Sequence, residues 1–267
     1  MDEGSFSDDY LSDLCVSIRE VRRMLLITGA GISADSGLPT YRGVSGLYED
    51  RNTVDGIPIE VALSGGMFSR QPRVTWKYLL EIANACSGKT WNRGHQVMVD
   101  LENLIPEVWI LTQNIDGFHL DAGSSNVIEI HGSMRRLRCT ECSFQISTSD
   151  YQLPFGFDEN ARLPDCPDCS SMIRPDVTLF DEMLPVPAVE ELQDQLAIGF
   201  DGIIIVGTSA VFPYIAQPVY QAAQQGQVTV EINPAETQLS SVVQWKIEKS
   251  ATEGLEQIAS CFHRDSK

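Results

Sequence analysis

Short apolar runs, separated by longer mixed segments, dominate the pattern of this chain. Five runs have the length and apolar character of buried parallel strands: Met24–Thr28, Val108–Thr112, Val127–Ile130, Ile203–Val206 and Val228–Ile232. Ahead of the first run, apolar residues recur at helical spacing from Leu11 to Val21. Because buried strands that alternate with helical segments build layered α/β folds, the pattern predicts a Rossmann-like, doubly wound parallel sheet.

Two regions interrupt this alternation. One is mixed, glycine-rich and then helical (residues 42–101), and the other has little periodic apolar pattern (residues 134–174). We interpret both as insertions that form a smaller helical and zinc-binding domain. The Rossmann-like domain is then discontinuous and consists of residues 1–41, 102–133 and 175–267.

Composition and charge narrow the class of protein. A chain of 267 residues with 43% apolar content can bury a substantial core. The net charge of −18 repels nucleic acid phosphates and attracts cationic proteins, although charge alone is equally consistent with plain solubility. No apolar segment has the length of a membrane span or the pattern of a secretion signal. We therefore expect a cytoplasmic protein, with a nuclear location not excluded, and no direct contact with nucleic acid or membrane.

Four of the seven cysteines form two Cys-x-x-Cys pairs. Cys139 and Cys142 are separated from Cys166 and Cys169 by 23 residues, a spacing that lets two turns present four thiolates to one tetrahedral zinc ion. A full set of four thiolates leaves no open position for substrate, so the expected zinc is structural. Disulfides or a redox pair are the alternatives, and without an export signal metal binding is favoured over disulfides.

A glycine-rich turn follows the first predicted strand. The run Gly29-Ala-Gly-Ile-Ser-Ala34 matches the G-x-G-x-x-(G/A) pattern, in which glycines let the backbone approach a pyrophosphate at a helix start. Alone, such a pattern is often only a tight turn. No predicted second strand ends in an acidic residue about 20 positions on, which disfavours a hydride-transferring dehydrogenase.

Several separated motifs together resemble one family, the sirtuins. They are the run from Gly29 to Arg42, Thr112-Gln-Asn-Ile-Asp116, His131-Gly132, the four paired cysteines and Gly207-Thr-Ser209. The match is ordered along the chain from about Leu25 to Ile258. The resemblance implies a Rossmann domain and a small zinc domain, with NAD and an acyl-lysine protein or peptide meeting in the cleft between them.

The resemblance also implies roles for individual residues. By similarity, His131 and Asn114 are catalytic, and Val177 and Phe180 lie in the segment that receives the peptide as an added strand. The positions expected to contact NAD are Gly29, Ala30, Gly31, Ser33, Tyr41, Arg42, Gln113, Asn114, Asp116, Gly207, Ser209 and Asn233. The other three histidines, at positions 95, 119 and 263, are expected to be structural or solvated.

The implied reaction is NAD-dependent lysine deacylation. The acyl oxygen attacks the ribose carbon that carries nicotinamide, nicotinamide leaves, and a ribose hydroxyl captures the acyl group with His131 as general base, so that O-acyl-ADP-ribose is released. A neutral imidazole suits this task because its pKa lies near neutrality. The alternatives are mono-ADP-ribosyl transfer or NAD hydrolysis, which need no such capture, and a non-catalytic NAD-sensing module.

Three departures from the usual family pattern have consequences. Asp181 stands where most relatives have glycine, and Tyr41 stands where phenylalanine is more usual. Sirtuins that remove acidic acyl groups such as succinyl carry a Tyr-x-x-Arg pair on a helix, and the corresponding positions here are Leu79 and Ile82. An apolar pocket offers no partner for a carboxylate, so we expect acetyl or longer aliphatic groups to be preferred over succinyl. Leu79 and Ile82 are also consistent with simple helix packing.

Overall fold

A computed structural model describes residues 8–39, 53–151 and 162–263. The helices in this part of the chain are α1 (Asp8–Arg19), α2 (Ala30–Ala34), α3 (Ile59–Ala62), α4 (Gly65–Arg70), α5 (Pro72–Cys86), α6 (Arg93–Leu104), α7 (Phe118–Ala122), α8 (Val186–Ile198), α9 (Pro213–Gln224) and α10 (Ala251–Ser260). The strands are β1 (Arg23–Thr28), β2 (Glu107–Thr112), β3 (Val127–Glu129), β4 (Gly132–Cys139), β5 (Gln145–Ser147), β6 (Ile173–Val177), β7 (Gly202–Val206), β8 (Val228–Ile232) and β9 (Trp245–Ile247).

The larger sheet has six parallel strands in the order β3-β2-β1-β7-β8-β9. Its order reverses at β1, whose neighbours are β2 on one side and β7 on the other. Ligands of open α/β sheets bind beyond the carboxyl ends of the strands at such a switch point. The predicted doubly wound sheet is confirmed, and all five predicted strands are present.

Each face of this sheet is covered by helices. Along β1, Met24 and Leu26 pack with residues of α1, α6 and α10, whereas Leu25 and Ile27 pack with residues of α8 and α9. This alternation follows from the two-residue period of a strand. Burial on both faces explains why the strands are continuous apolar runs rather than alternating polar and apolar residues.

The smaller sheet has three antiparallel strands in the order β5-β4-β6. Trp76 and Leu80 of α5 share a core with Leu137 and Ile173 of this sheet and with three of the paired cysteines, Cys139, Cys142 and Cys166. We call β4, β5, β6 and the four cysteines the cysteine module. It has few large apolar side chains, which explains why hydrophobic periodicity did not reveal its strands.

Packing bears on one boundary of the expected domains. Val97, Met98 and Leu101 of α6, which the sequence analysis placed in the small domain, are buried in the core of the large sheet beside α10. The division into two domains stays a prediction. We propose that its boundary lies ahead of α6 and that residues 93–101 belong to the Rossmann-like domain.

A disulfide joins Cys15 of α1 to Cys261, which directly follows α10. This disulfide was not predicted from the sequence, because 246 positions separate the two cysteines. The bond connects two helices that cover the same face of the large sheet. None of the helices in the described ranges combines the length and apolar character that crossing a membrane requires.

Candidate functional site

Two glycine-bearing turns meet beyond the carboxyl ends of β1 and β7. The amide of Gly31 donates to the carbonyl of Gly207 at 2.8 Å. A Cβ atom added at Gly31 would lie 2.5 Å from the Cα of Gly207, so only glycine permits this approach. The predicted nucleotide-binding positions Gly29 and Gly31 therefore lie against Gly207 at the switch point of the sheet, and Ala30 and Ser33 belong to the helix α2 that starts there.

The segment after β2 faces the same turn. The side-chain amide of Asn114 donates to the carbonyl of Gly29 at 3.1 Å and to the hydroxyl of Ser33 at 3.2 Å. Ser33 in turn donates to the Asp116 carboxylate at 2.7 Å. Burial raises the pKa of Asp116, while hydrogen bonds from the Phe118 amide and Ser33 oppose that shift. An amide and a carboxylate are thus held close together beside the glycine turn.

Gln113 connects the ends of the central strands. Its side-chain amide donates to the Thr28 carbonyl at 3.1 Å and to the Thr208 hydroxyl at 2.9 Å. Asn233, just beyond β8, donates to the Thr208 carbonyl at 3.1 Å, and the neighbouring Ser209 is exposed. Polar residues from the ends of β1, β2, β7 and β8 therefore form one continuous edge.

His131 lies at the same edge, in the short connection between β3 and β4. Its Nδ1 is 2.9 Å from the Gln113 carbonyl, and its Nε2 is 2.7 Å from the hydroxyl of Tyr214. A carbonyl only accepts, so Nδ1 carries the proton and Nε2 of the neutral ring carries the lone pair. Burial lowers the pKa of His131, with the Gln113 carbonyl opposing that shift. The ring is therefore suited to accept a proton at Nε2 near neutral pH.

The expected peptide segment is held by an ion pair between the buried Arg174 and the partly exposed Glu182. Arg174 donates through two nitrogens to the Glu182 carboxylate, each at 2.7 Å, and also donates to the Val177 carbonyl. The backbone of Phe180 is already paired, since its amide donates to Leu63 and its carbonyl accepts from Gly65. An added peptide strand would thus need backbone groups other than those of Phe180.

Asp181 keeps a backbone conformation that usually favours glycine. Its φ is 64°, in the left-handed region, which aspartate tolerates better than most residues. Its carboxylate accepts from the Gly65 amide at 2.9 Å and from the Gly66 amide at 3.3 Å, at the start of α4. The departure from glycine therefore adds a cap for α4 without changing the left-handed turn.

Leu79 and Ile82 belong to an apolar cluster next to the site. Leu79 is fully buried and Ile82 partly buried, and both pack in a cluster with Ile115, Met134, Val177, Leu179 and Phe180. The residues of this cluster come from α5, from the segment after β2 and from the peptide segment. The surroundings of both side chains are apolar, as the sequence analysis expected, and the role of this cluster in acyl selection stays a prediction.

The four paired cysteines come together. Their sulfur atoms all lie within 4.8 Å of one another, with Cys139 and Cys169 at 3.5 Å and Cys142 and Cys166 at 3.6 Å. Four sulfurs around a tetrahedral zinc ion are about 3.8 Å apart, given Zn–S bonds of about 2.3 Å. None of the four forms a disulfide. The donor set and its geometry fit a structural zinc ion.

Comparison with known proteins decides the family. Residues 29–213 match the model of the Sir2 family. The chain belongs to the Sir2 family. It is similar to "NAD-dependent protein deacylase 2" of Pseudomonas aeruginosa, with 44% identity over 261 residues that cover 97% of this chain and 99% of the relative.

Solved Sir2 structures have the same fold. A Sir2 homologue in complex with NAD has a TM-score of 0.82 at 32% identity and covers 99% of this chain and 97% of its own. A Sir2 protein solved with a p53 peptide and NAD+ has a TM-score of 0.76 at 28% identity, covering 96% and 98%. The recognition of a sirtuin from its motifs is confirmed.

Two predicted positions of this Sir2 protein, Tyr41 and Arg42, lie outside the described residues. His95 and His119 are buried, as expected of structural residues, and the Nε2 of His119 is 2.9 Å from the Thr28 hydroxyl. Tyr214, which forms a hydrogen bond with His131, was not predicted from the sequence. The sequence offered one indication of this contact: Phe212 and Tyr214 follow the end of the predicted strand Ile203–Val206, where other site residues lie.

Proposed function

We propose that this chain is an NAD-dependent protein-lysine deacylase that releases nicotinamide and O-acyl-ADP-ribose. The observation that carries the proposal is the convergence of His131, Asn114 and Asp116 on the glycine turn at the switch point of the sheet. Membership of the Sir2 family and the similarity to proteins named NAD-dependent protein deacylase support it.

Asn114, Asp116 and Ser33 form a hydrogen-bonded polar cluster beside the glycine turn. An amide and a carboxylate provide both donors and acceptors, as a carboxamide and ribose hydroxyls require. NAD supplies an electrophilic ribose carbon once nicotinamide departs. The residues of this chain orient the dinucleotide, and the apolar cluster around Leu79 accepts the acyl chain. One water is consumed when the lysine amine is released from the acyl carbon.

His131 is the proposed general base. Its Nδ1–H is fixed on the Gln113 carbonyl, so Nε2 accepts the proton of a ribose hydroxyl as that oxygen attacks the acyl carbon. The cysteines lie in the module of the smaller sheet and offer no open coordination position once four thiolates hold zinc. The metal thus stabilises the fold of the module and takes no part in the reaction.

The proposed substrate is a lysine side chain with an apolar acyl group, on a protein or peptide. The net charge of −18 favours cationic partners, such as lysine-rich segments. An intracellular location, expected from the sequence, fits NAD as cosubstrate and the four free paired cysteines, whereas the Cys15–Cys261 disulfide is a bond that is rare in reducing compartments. This location remains part of the proposal.

Incubation of the protein with NAD and an acetyl-lysine peptide, followed by mass spectrometry, tests the function. A deacylase yields free lysine peptide, nicotinamide and acetyl-ADP-ribose in equal amounts. ADP-ribose attached to protein would instead indicate ADP-ribosyl transfer, and free ADP-ribose formed without loss of the acetyl group would indicate NAD hydrolysis. Absence of any NAD-dependent product would contradict the proposal.

A further inference from the structure

Both ring nitrogens of His131 are engaged in the structure. The Gln113 carbonyl receives the Nδ1 proton, and the hydroxyl of Tyr214 lies 2.7 Å from Nε2. Nε2 is the atom that the proposed reaction needs as proton acceptor. A second polar group of the chain therefore occupies the position that a ribose hydroxyl must reach.

The Tyr214 hydroxyl is the donor in this bond. Burial raises the pKa of Tyr214 to about 12, so the phenol stays protonated at neutral pH. The neutral imidazole has its lone pair at Nε2, because Nδ1 carries the hydrogen. The phenol O–H thus points at the lone pair of the proposed base.

Ring packing holds Tyr214 at this place. Tyr214 lies in the first turn of α9, and its ring stacks on Phe212 with centroids 5.4 Å apart and planes 10° from parallel. The His131 ring meets both rings edge-on, at 5.9 Å from Phe212 and 6.0 Å from Tyr214. The phenol is therefore positioned by its ring contacts as well as by its hydrogen bond.

We propose that Tyr214 is a positioning residue for His131: its hydroxyl holds the imidazole through Nε2 in the NAD-free protein, and a ribose hydroxyl replaces it when NAD binds. The proposal rests on the proposed function, in which Nε2 is the proton acceptor. A single lone pair accepts one strong hydrogen bond, so the two hydroxyls compete for the same atom. The bond to Tyr214 therefore orients the base and also opposes NAD binding.

Among the described residues that contact His131, Tyr214 is the one with a titratable side chain. Gln113, on the segment after β2, and Phe212, before α9, are uncharged, and Thr178, which directly follows β6, contacts His131 through a backbone hydrogen bond. Burial and the Gln113 carbonyl are the causes of the shift in the His131 pKa, with no contribution from a charged side chain. A hydroxyl that donates to Nε2 stabilises the neutral ring, so its removal raises the His131 pKa.

Tyr214→Phe removes the hydroxyl and keeps the stacked ring. We expect the dissociation constant for NAD, measured by calorimetry without peptide, to fall about threefold to tenfold, the equivalent of one neutral hydrogen bond. In the NAD-free variant the His131 pKa, followed by NMR with the signal assigned from His131→Ala, should rise. Tyr220→Phe is the matched control, because Tyr220 is an exposed residue of the same helix, and it should leave both quantities at the parent values.

An unchanged His131 pKa together with an unchanged NAD affinity in Tyr214→Phe would overturn the proposal. Weaker NAD binding would also overturn it, because Tyr214 would then help to hold the dinucleotide. A large loss of kcat without a change in the His131 pKa would overturn it as well, because the phenol itself would then carry the proton. The NAD dissociation constant and the His131 pKa are both measured without peptide, so neither depends on deacylation. Failure of the proposed function in the peptide assay would therefore be recognised separately.

Discussion

The large parallel sheet and the cysteine module are stabilised by different means. The strands of the sheet are buried on both faces, and apolar side chains from helices on each side fill its core. The module instead gathers a few apolar residues around four cysteines whose geometry fits zinc. The sheet can therefore fold through hydrophobic burial, whereas we expect the folding of the module to depend on a metal ion.

The two regions also differ in what they contribute to the proposed chemistry. His131, Asn114 and Asp116 lie at the carboxyl edge of the large sheet, and the four cysteines belong to the cysteine module. The inserted helix α5 contacts both regions: Trp76 packs against the module, and Leu79 packs in the apolar cluster next to the site. In the proposed function, the chemistry therefore belongs to the sheet, and the inserted parts are expected to provide scaffolding and substrate selection.

Loss of the metal should have the largest effect and should separate the two regions. Cys166→Ser removes one of four ligands, and structural zinc contributes about 10–16 kcal/mol to the folding of small domains. We expect zinc to be absent by elemental analysis, and the emission of Trp76, buried in the module core, to shift to the red. The far-UV signal of the large sheet should persist.

Cys86→Ser is the matched control for the metal, since Cys86 is a free cysteine outside the cluster and should keep the full zinc content. A parent protein that contains no zinc, or a Cys166→Ser variant with an intact module, would remove the distinction between the two regions.

A cavity in the core of the large sheet should destabilise the sheet and leave zinc bound to the module. Leu26→Ala truncates a fully buried side chain on the central strand β1, which should lower the free energy of unfolding by about 2–5 kcal/mol. Zinc content should stay at the parent value, because the module lies apart from this core. Denaturant unfolding measures the effect, with the partly exposed Leu104→Ala as control. Release of zinc from Leu26→Ala under native conditions would mean that the two regions fold as one unit.

Substrate selection tests the part played by α5. A succinyl group would place a carboxylate beside Leu79 and Ile82, where the described cluster is apolar. We expect kcat/KM for succinyl-lysine peptide to be lower than for the matched acetyl peptide by about thirtyfold, or about 2 kcal/mol, the lower range for burying an unpaired polar group. Leu79→Ala should alter the preference among aliphatic acyl chains more than Leu104→Ala does. A clear preference for succinyl would contradict the assignment of this cluster to the acyl chain.

The smallest effect is expected at Asp181, where the inserted helix α4 meets the peptide segment. Asp181→Ala loses the two bonds to the Gly65 and Gly66 amides and keeps a side chain in a left-handed turn. The free energy of unfolding should fall by about 1 kcal/mol, and the KM for peptide should rise. Asp181→Gly relieves the turn and should be the milder variant. Equal stability of Asp181→Ala and the parent would show that the cap is unimportant.

The sheet could be predicted from the sequence because burial on both faces leaves an unbroken apolar run. The sixth strand, β9, was missed since it has only three residues and Lys246 stands at its centre. Strand β4 was missed because Arg135, Arg136 and Arg138 interrupt its apolar pattern, and its pairing with β6 joins residues as distant as Gly132 and Val177. Short or polar strands take their structure from partners far along the chain.

The site could be predicted where its motifs end predicted strands, and the cysteine cluster where spacing alone indicates a metal. Tyr214 could not, because its contact with His131 depends on how the start of α9 lies relative to the end of β3. The Cys15–Cys261 disulfide could not be predicted either, because it depends on how α1 and the end of α10 lie relative to each other. The roles of the individual NAD-binding and peptide-binding residues stay predictions, including those of Tyr41 and Arg42.

The most direct test of the central claim compares His131→Ala with the parent in NAD binding and in acyl-ADP-ribose formation. We expect the NAD dissociation constant to stay within about threefold and product formation to fall by about 10²–10⁴-fold, because a general base acts in the transition state rather than in binding. His263→Ala, an exposed histidine far along the chain, is the matched control and should keep parental activity. Product formation by His131→Ala within about threefold of the parent would contradict the assignment of the chemistry to this edge of the sheet.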